Sequence, residues 1–84
     1  MIDSPVFAEF VEEGRALGLA QGRLEARRSD IVAALETRFG PVPLAITMQV
    51  DRLTDLALLS SHHRRAVSVE SLEAFAQELA AANP

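Results

Sequence analysis

One apolar pattern limits the folds open to this chain of 84 residues more than any other feature. From Ser4-Pro5 to Gly40-Pro41, apolar residues recur every three to four positions, which is the period of one face of an α-helix. Serine followed by proline is a good helix start, and glycine followed by proline ends a helix. The apolar stripe consists of Val6, Phe10, Leu17, Leu24, Ile31, Leu35 and Phe39, with Phe7 and Val32 at its edge.

The length of this helix creates a problem of coverage. A helix over residues 5–39 would be about 50 Å long at 1.5 Å per residue. A compact domain of this size has a diameter of roughly 30 Å. The rest of the chain can therefore cover only the C-terminal half of the stripe. Either the helix bends and folds back, or another chain covers the exposed half, as exposed apolar stripes usually mark an interface.

Three short helices are expected after Gly40. Pro43 can open the first, Thr54 can cap the second and Ser68 can cap the third. No segment alternates with period two, so the sequence predicts an all-α fold. The short helices are predicted at about residues 43–53, 55–65 and 69–80, with apolar faces that include Ile46, Val50, Leu53, Leu72, Phe75, Ala76 and Leu79.

Glycines interrupt the first helix at an interval of four, and we call Gly14, Gly18 and Gly22 the glycine row. Each costs about 1 kcal/mol relative to alanine in a helix interior. We expect the row to let a second helix approach closely, whereas a bend at the glycines is the alternative.

Stripe positions also follow the four-three spacing of a coiled-coil seam, although a helix packed within its own domain shows similar spacing. We therefore divide the chain into a coiled-coil-like association segment, 1–22, and a small helical domain, 23–84, within one continuous unit. The expected partner is a second copy of the chain. The predicted self-association residues are Phe7, Phe10, Gly14, Leu17, Gly18, Gln21, Gly22 and Leu24.

Charge and composition narrow the function classes. The formal net charge is −4 and cysteine is absent, so the chain as a whole does not favour polyanions and forms no disulfide. Lysine is also absent. The N-terminus lacks a basic region followed by an apolar run, so we expect a cytoplasmic protein without membrane contact. The alternative function is a nucleic-acid-binding accessory module that uses Arg23, Arg27, Arg28, Arg64 and Arg65.

The run His62-His63-Arg64-Arg65 is the most conspicuous polar cluster. Adjacent helical residues point about 100° apart and cannot chelate one ion together. We expect instead a solvated last turn that complements the helix dipole. No residues assemble into a nucleophile with its base, a metal site or a phosphate loop. The sequence therefore predicts no catalytic residue, no metal and no cofactor.

Several short motifs occur in an order that resembles a known family. The motifs are Glu13-Gly14-Arg15, Gly18, Gln21-Gly22-Arg23, Arg38-Phe39-Gly40 with Pro41 or Pro43, Arg52-Leu53, and Ser71-Leu72-Glu73-Ala74-Phe75. Together they resemble the C-terminal helical domain, of unknown function, in bacterial Rpn-type (YhgA-like) recombination-promoting nucleases, which are often labelled transposases. The resemblance spans residues 12–79.

This resemblance implies an accessory tail without the nuclease. The family's chemistry lies in an upstream PD-(D/E)xK domain that needs a Pro-Asp pair, a second acid and a lysine. The present chain has no lysine and no Pro-Asp pair, so no catalytic residue carries over. The resemblance implies a nuclease domain as a partner. The uncovered half of the stripe predicts a non-enzymatic role in oligomerisation or protein interaction.

Overall fold

The computed structural model describes residues 5–83, with side chains from residue 8 onward. Its four helices are α1 (Pro5–Phe39), α2 (Leu44–Asp51), α3 (Leu56–Ser68) and α4 (Leu72–Ala82). Residues 5–83 include no β-strand. The predicted all-α fold, one long helix followed by three shorter ones, is confirmed. The predicted cap at Ser4 lies outside the described residues.

Helix α1 runs without a break through the glycine row. Its 35 residues span about 52 Å at 1.5 Å per residue, and the longest dimension of the molecule is 59 Å. The predicted alternative, a bend that folds the helix back on itself, is therefore wrong. The helix ends at Gly40, where φ is 86°, a left-handed value that favours glycine.

The core lies along the C-terminal half of α1. Ile31 and Leu35 are fully buried there. Helix α3 is the main partner of α1, and α2 packs against both α1 and α4. The short helices thus cover only half of the long one, as the length argument predicted. The other members of the core are Ile46, Val50, Leu53, Leu59, Ala66, Val69, Phe75 and Leu79.

Helix α2 begins and ends inside the predicted range. The N–H of Ile46 donates to the carbonyl of Pro43 at 3.0 Å, so the proline precedes the helix rather than entering it. After Asp51 the chain makes a further turn, in which the N–H of Leu53 donates to the carbonyl of Val50 at 3.1 Å. This turn buries Leu53, so the predicted apolar face is present although the helix stops earlier.

The predicted cap of α3 at Thr54 is wrong, because Asp55 occupies that position. One carboxylate oxygen of Asp55 accepts hydrogen bonds from the N–H groups of Ala57 at 2.9 Å and Leu58 at 3.2 Å. A carboxylate at a helix N-terminus satisfies free N–H groups and also interacts favourably with the helix dipole. A neutral threonine hydroxyl offers only the first of these contributions.

The predicted cap of α4 at Ser68 is wrong as well. Helix α3 continues through Ser68, whose hydroxyl donates to the carbonyl of Arg64 at 3.3 Å. Val69 follows and is buried, so the connection passes through the core before α4 begins. Ser71 caps α4 by accepting a hydrogen bond from the N–H of Ala74 at 3.1 Å.

Two arginines of α1 bind backbone carbonyls of the shorter helices and their connections. The guanidinium of Arg28 donates twice to the carbonyl of Leu53, at 3.2 and 2.6 Å. The guanidinium of Arg38 donates to the carbonyl of Ala66 at 2.9 Å. The two contacts join α1 to residues 25 and 28 positions further along the chain. They therefore help to fix how the short helices pack against α1.

We predict that Arg28→Ala lowers the free energy of unfolding by about 1.5–3 kcal/mol, the usual contribution of a hydrogen bond to a charged group. The matched control is Arg64→Ala, an exposed arginine on α3, which should change it by less than about 0.5 kcal/mol. Urea denaturation followed by circular dichroism measures both. Equal effects of the two substitutions would contradict a structural role for Arg28.

Candidate self-association surface

The N-terminal half of α1 projects beyond the other helices. Every residue from 8 to 23 is exposed, and we call this segment the free half of α1. Its large apolar side chains are open to solvent: Phe10 is 74% exposed, Leu17 68%, Val11 53% and Leu19 51%. Phe10 and Leu17 lie on one face of the helix, and monomeric soluble proteins rarely leave large apolar patches open unless the patch binds something.

The exposed apolar residues continue the face that forms the core. At about 100° per residue, Phe10, Leu17 and Leu24 lie within roughly 60° of arc around the helix from Ile31 and Leu35. Leu24 marks the border, because it is half-buried and packs against the core. The same stripe is therefore covered on one half of α1 and open on the other.

The glycine row lies beside the open part of the stripe. A Cβ placed at Gly14, Gly18 or Gly22 would meet no atom within 4 Å, so nothing inside the chain requires glycine there. Residues four apart form rows along a helix, and the glycine row is a shallow groove between two such rows. One flanking row contains Leu17 and the other contains Leu19.

The structure brings most of the predicted self-association residues onto one exposed segment. Phe10, Leu17 and Gln21 are exposed together with the glycine row, and Leu24 lies at the junction with the core. The side chain of Phe7 lies outside the described residues. Val11 and Leu19 are also exposed but were not predicted, because they lie off the stripe and the sequence marks them only as apolar residues elsewhere on the helix surface.

Charges along α1 are separated by sign. Glu9, Glu12 and Glu13 lie near its N-terminal end, and the acidic groove that they line ends at Ala16. Glu12 pairs with Arg15 within this segment. Further along, positive charge predominates.

Arg23 is exposed at the basic end of the free half, and Arg27, one turn beyond it, is half-buried. Arg27 makes one long contact, 3.4 Å from its Nη1 to the carboxylate of Asp30. Within residues 8–83, Glu9, Glu13 and Arg23 form no ion pair. These three charges are therefore available to a partner.

The prediction of a solvated His62 is wrong. His62 is only 7% exposed, and its ring meets that of Phe75 edge-on, with the centroids 5.9 Å apart. Neither ring nitrogen has a hydrogen-bond partner among the described residues. Burial lowers the pKa of His62, and the negative charge of Glu78 offsets part of that effect. The imidazole is a core side chain, which its helical position relative to Leu59 and Ala66 could have indicated.

The other residues of that cluster lie in different surroundings. Arg65 forms a two-pronged ion pair with Glu78, at 2.9 and 2.7 Å, while Arg64 is exposed. Among residues 8–83, no three acidic, histidine or cysteine side chains come close enough to hold a metal ion.

The five arginines predicted as phosphate contacts do not form one free basic surface. Arg28 is bound to the carbonyl of Leu53, and Arg65 is paired with Glu78. Arg23 and Arg27 lie on α1, whereas Arg64 lies on α3.

No protein-family model, curated protein or solved structure matches the chain. Within the described residues, no helix combines the length and hydropathy needed to cross a bilayer.

We predict that the chain loses stability as the pH falls below about 6.5, the ordinary pKa of histidine. The pKa of His62 is lowered in the folded state, so the unfolded chain takes up the proton first. This contribution is complete above the unfolded pKa and is lost as the pH falls toward the folded one.

Thermal unfolding between pH 5 and 7.5 measures this effect. His62→Phe should flatten the dependence over that range, while His63→Gln on the same helix should leave it in place. A dependence that persists in full after His62→Phe would contradict the assignment.

Proposed function

We propose that this chain is a non-enzymatic self-association module that pairs through the free half of α1. One observation carries the proposal: the stripe that forms the core around Ile31 continues through Leu17 and Phe10, which are exposed to solvent. Burying one such side chain contributes about 1.5–3 kcal/mol. A chain of this size can gain that energy only from a partner, because its short helices are already packed elsewhere.

The glycine row supports the same proposal. The three glycines together lower helix stability by roughly 3 kcal/mol relative to alanine. Their missing side chains meet nothing within the chain. Small residues let two helix backbones approach closely, so a partner helix in this groove would offset the loss.

The proposed setting follows from the resemblance described above. We propose that the module is the accessory tail of a nuclease- or transposase-like protein, with a nuclease domain as a partner, in the cytoplasm. A non-enzymatic role agrees with the positions of the polar residues. Asp55 caps a helix, Arg28 binds a backbone carbonyl and His62 packs in the core.

A nucleic-acid-binding accessory module is the alternative proposal, and it has less support. Two of its five arginines, Arg28 and Arg65, already bind groups within the chain. The net charge of −4 also opposes association with a polyanion. Binding of this kind would be strongly salt-dependent, so a mobility-shift titration at low salt tests it; the absence of any shift would exclude it.

We predict a dimer or larger species that dissociates on dilution, measured by light scattering and sedimentation. Leu17→Asp should weaken association by roughly a hundredfold or more, because two copies each lose a buried leucine. The matched control is Leu44→Asp, since Leu44 is 72% exposed but lies on α2, away from the stripe. A wild-type chain that remains monomeric at high concentration would overturn the proposal.

We also predict that Gly18→Ala raises the helicity of the monomer, because alanine is about 1 kcal/mol better in a helix and its methyl group meets no atom of the chain. The same methyl group should weaken association about tenfold by holding the two backbones apart. Circular dichroism and sedimentation separate the two effects. Higher helicity with unchanged association would mean that the glycine row faces solvent.

A further inference from the structure

We propose that the partner is a second copy of this chain lying antiparallel, with the two free halves overlapping about a centre near Gly18. This inference rests on the proposed self-association and adds its geometry. Two independent observations carry it: where the core of each copy lies, and how charge is distributed along α1.

The position of the core decides against a parallel pair. The stripe that faces the partner on the free half is the stripe that α2 and α3 cover further along the helix. Packed helices lie about 8–10 Å apart. The molecule measures 26 × 20 Å across its long axis, so the two cores of a parallel pair would occupy the same space between the helices.

An antiparallel pair places the two cores at opposite ends. Each free half then lies against the other, and the tip of each helix points toward the partner's core. Residues 8–23 provide about 24 Å of helix for this overlap. The length of the uncovered helix therefore limits how far the two helices can overlap.

Charge fixes the same orientation and suggests the register. With the centre at Gly18, residue n lies across from residue 36 − n of the other copy. Glu13 then faces the partner's Arg23, and Glu9 faces the partner's Arg27. A parallel pair in register would instead place each of these charges at the level of the same residue in the other chain.

All four charged residues lie on the same side of the apolar stripe, within about 80° of arc around the helix. In a twofold antiparallel pair, that side of one helix meets the same side of the other. Opposite charges therefore meet along one edge of the contact, and the pair forms two copies of each attraction. The same centre places Gly14 level with the partner's Gly22 along the helix axis.

Cross-linking tests the orientation directly, because the chain has no cysteine of its own. We would introduce Glu9→Cys or Arg27→Cys, both on the charged edge of the contact, and treat the dimer with a short bismaleimide. In the antiparallel pair, like positions are separated along the axis by about 27 Å, whereas Glu9 and the partner's Arg27 lie at the same level.

Neither variant alone should be cross-linked efficiently, but an equimolar mixture of the two should be. The reverse pattern, in which each variant is cross-linked to itself and the mixture adds nothing, would overturn the antiparallel arrangement. Equal cross-linking in all three samples would also overturn it, since that result requires more than one orientation.

A charge exchange tests the register. Glu13→Arg should weaken the dimer roughly tenfold at low salt, because two attractions become repulsions, and adding Arg23→Glu to the same chain should restore most of the affinity. In a parallel pair neither change would have this effect. Glu36→Arg, an exposed glutamate beside the core, is the matched control and should leave the affinity unchanged.

The two proposals fail in different ways. A monomeric wild type removes self-association and the orientation with it. A wild-type dimer that Leu17→Asp dissociates, but that shows no response to Glu13→Arg, keeps self-association and removes the antiparallel register.

Discussion

The length of α1 is the constraint on which the rest of this structure depends. A helix of 35 residues extends about 52 Å, and the three helices that follow it contain too few residues to cover that distance. They pack where the chain returns after Gly40, against Ile31 and Leu35. Everything distinctive about the molecule, including its bare apolar segment, follows from covering one half of a continuous stripe.

Polar contacts within the covered half work mainly as structural links. Arg28 and Arg38 reach from α1 to backbone carbonyls near the ends of α2 and α3. Asp55 and Ser71 satisfy the free N–H groups at the starts of α3 and α4. Because of these contacts, several polar residues that the sequence offers as site candidates are already bound within the chain. The groups without such contacts are the ones available to a partner.

Those unengaged groups lie together on the free half of α1. Exposed apolar side chains, a row of glycines and unpaired charges of opposite sign share about 24 Å of helix. Each feature alone has an ordinary structural explanation. In combination they describe a helix surface suited to another helix: the apolar residues supply energy, the glycines allow close approach, and the charges select an orientation.

Apolar periodicity by itself determined the all-α class, the extent of the long helix and the identity of its buried residues, because a 3.6-residue repeat has one structural solution over that length. The faces of α2 and α4 followed from the same pattern. The helix caps did not follow from this pattern. For α3, Thr54 competes with Asp55, and for α4, Ser68 competes with Ser71, because all four side chains can cap a helix. Only tertiary packing chose between them, by burying Leu53 and Val69 in the connections.

The candidate surface divides in the same way. The sequence indicated an exposed stripe, because helix length and domain diameter are both set by chain length. The carbonyl contacts of Arg28 join residues 25 positions apart and depended on tertiary packing that no local pattern encodes. The tertiary structure also decided that α2 and α3 cover the continuation of the stripe that stays open on the free half, and the position of that core is the physical reason why the two orientations of a partner differ.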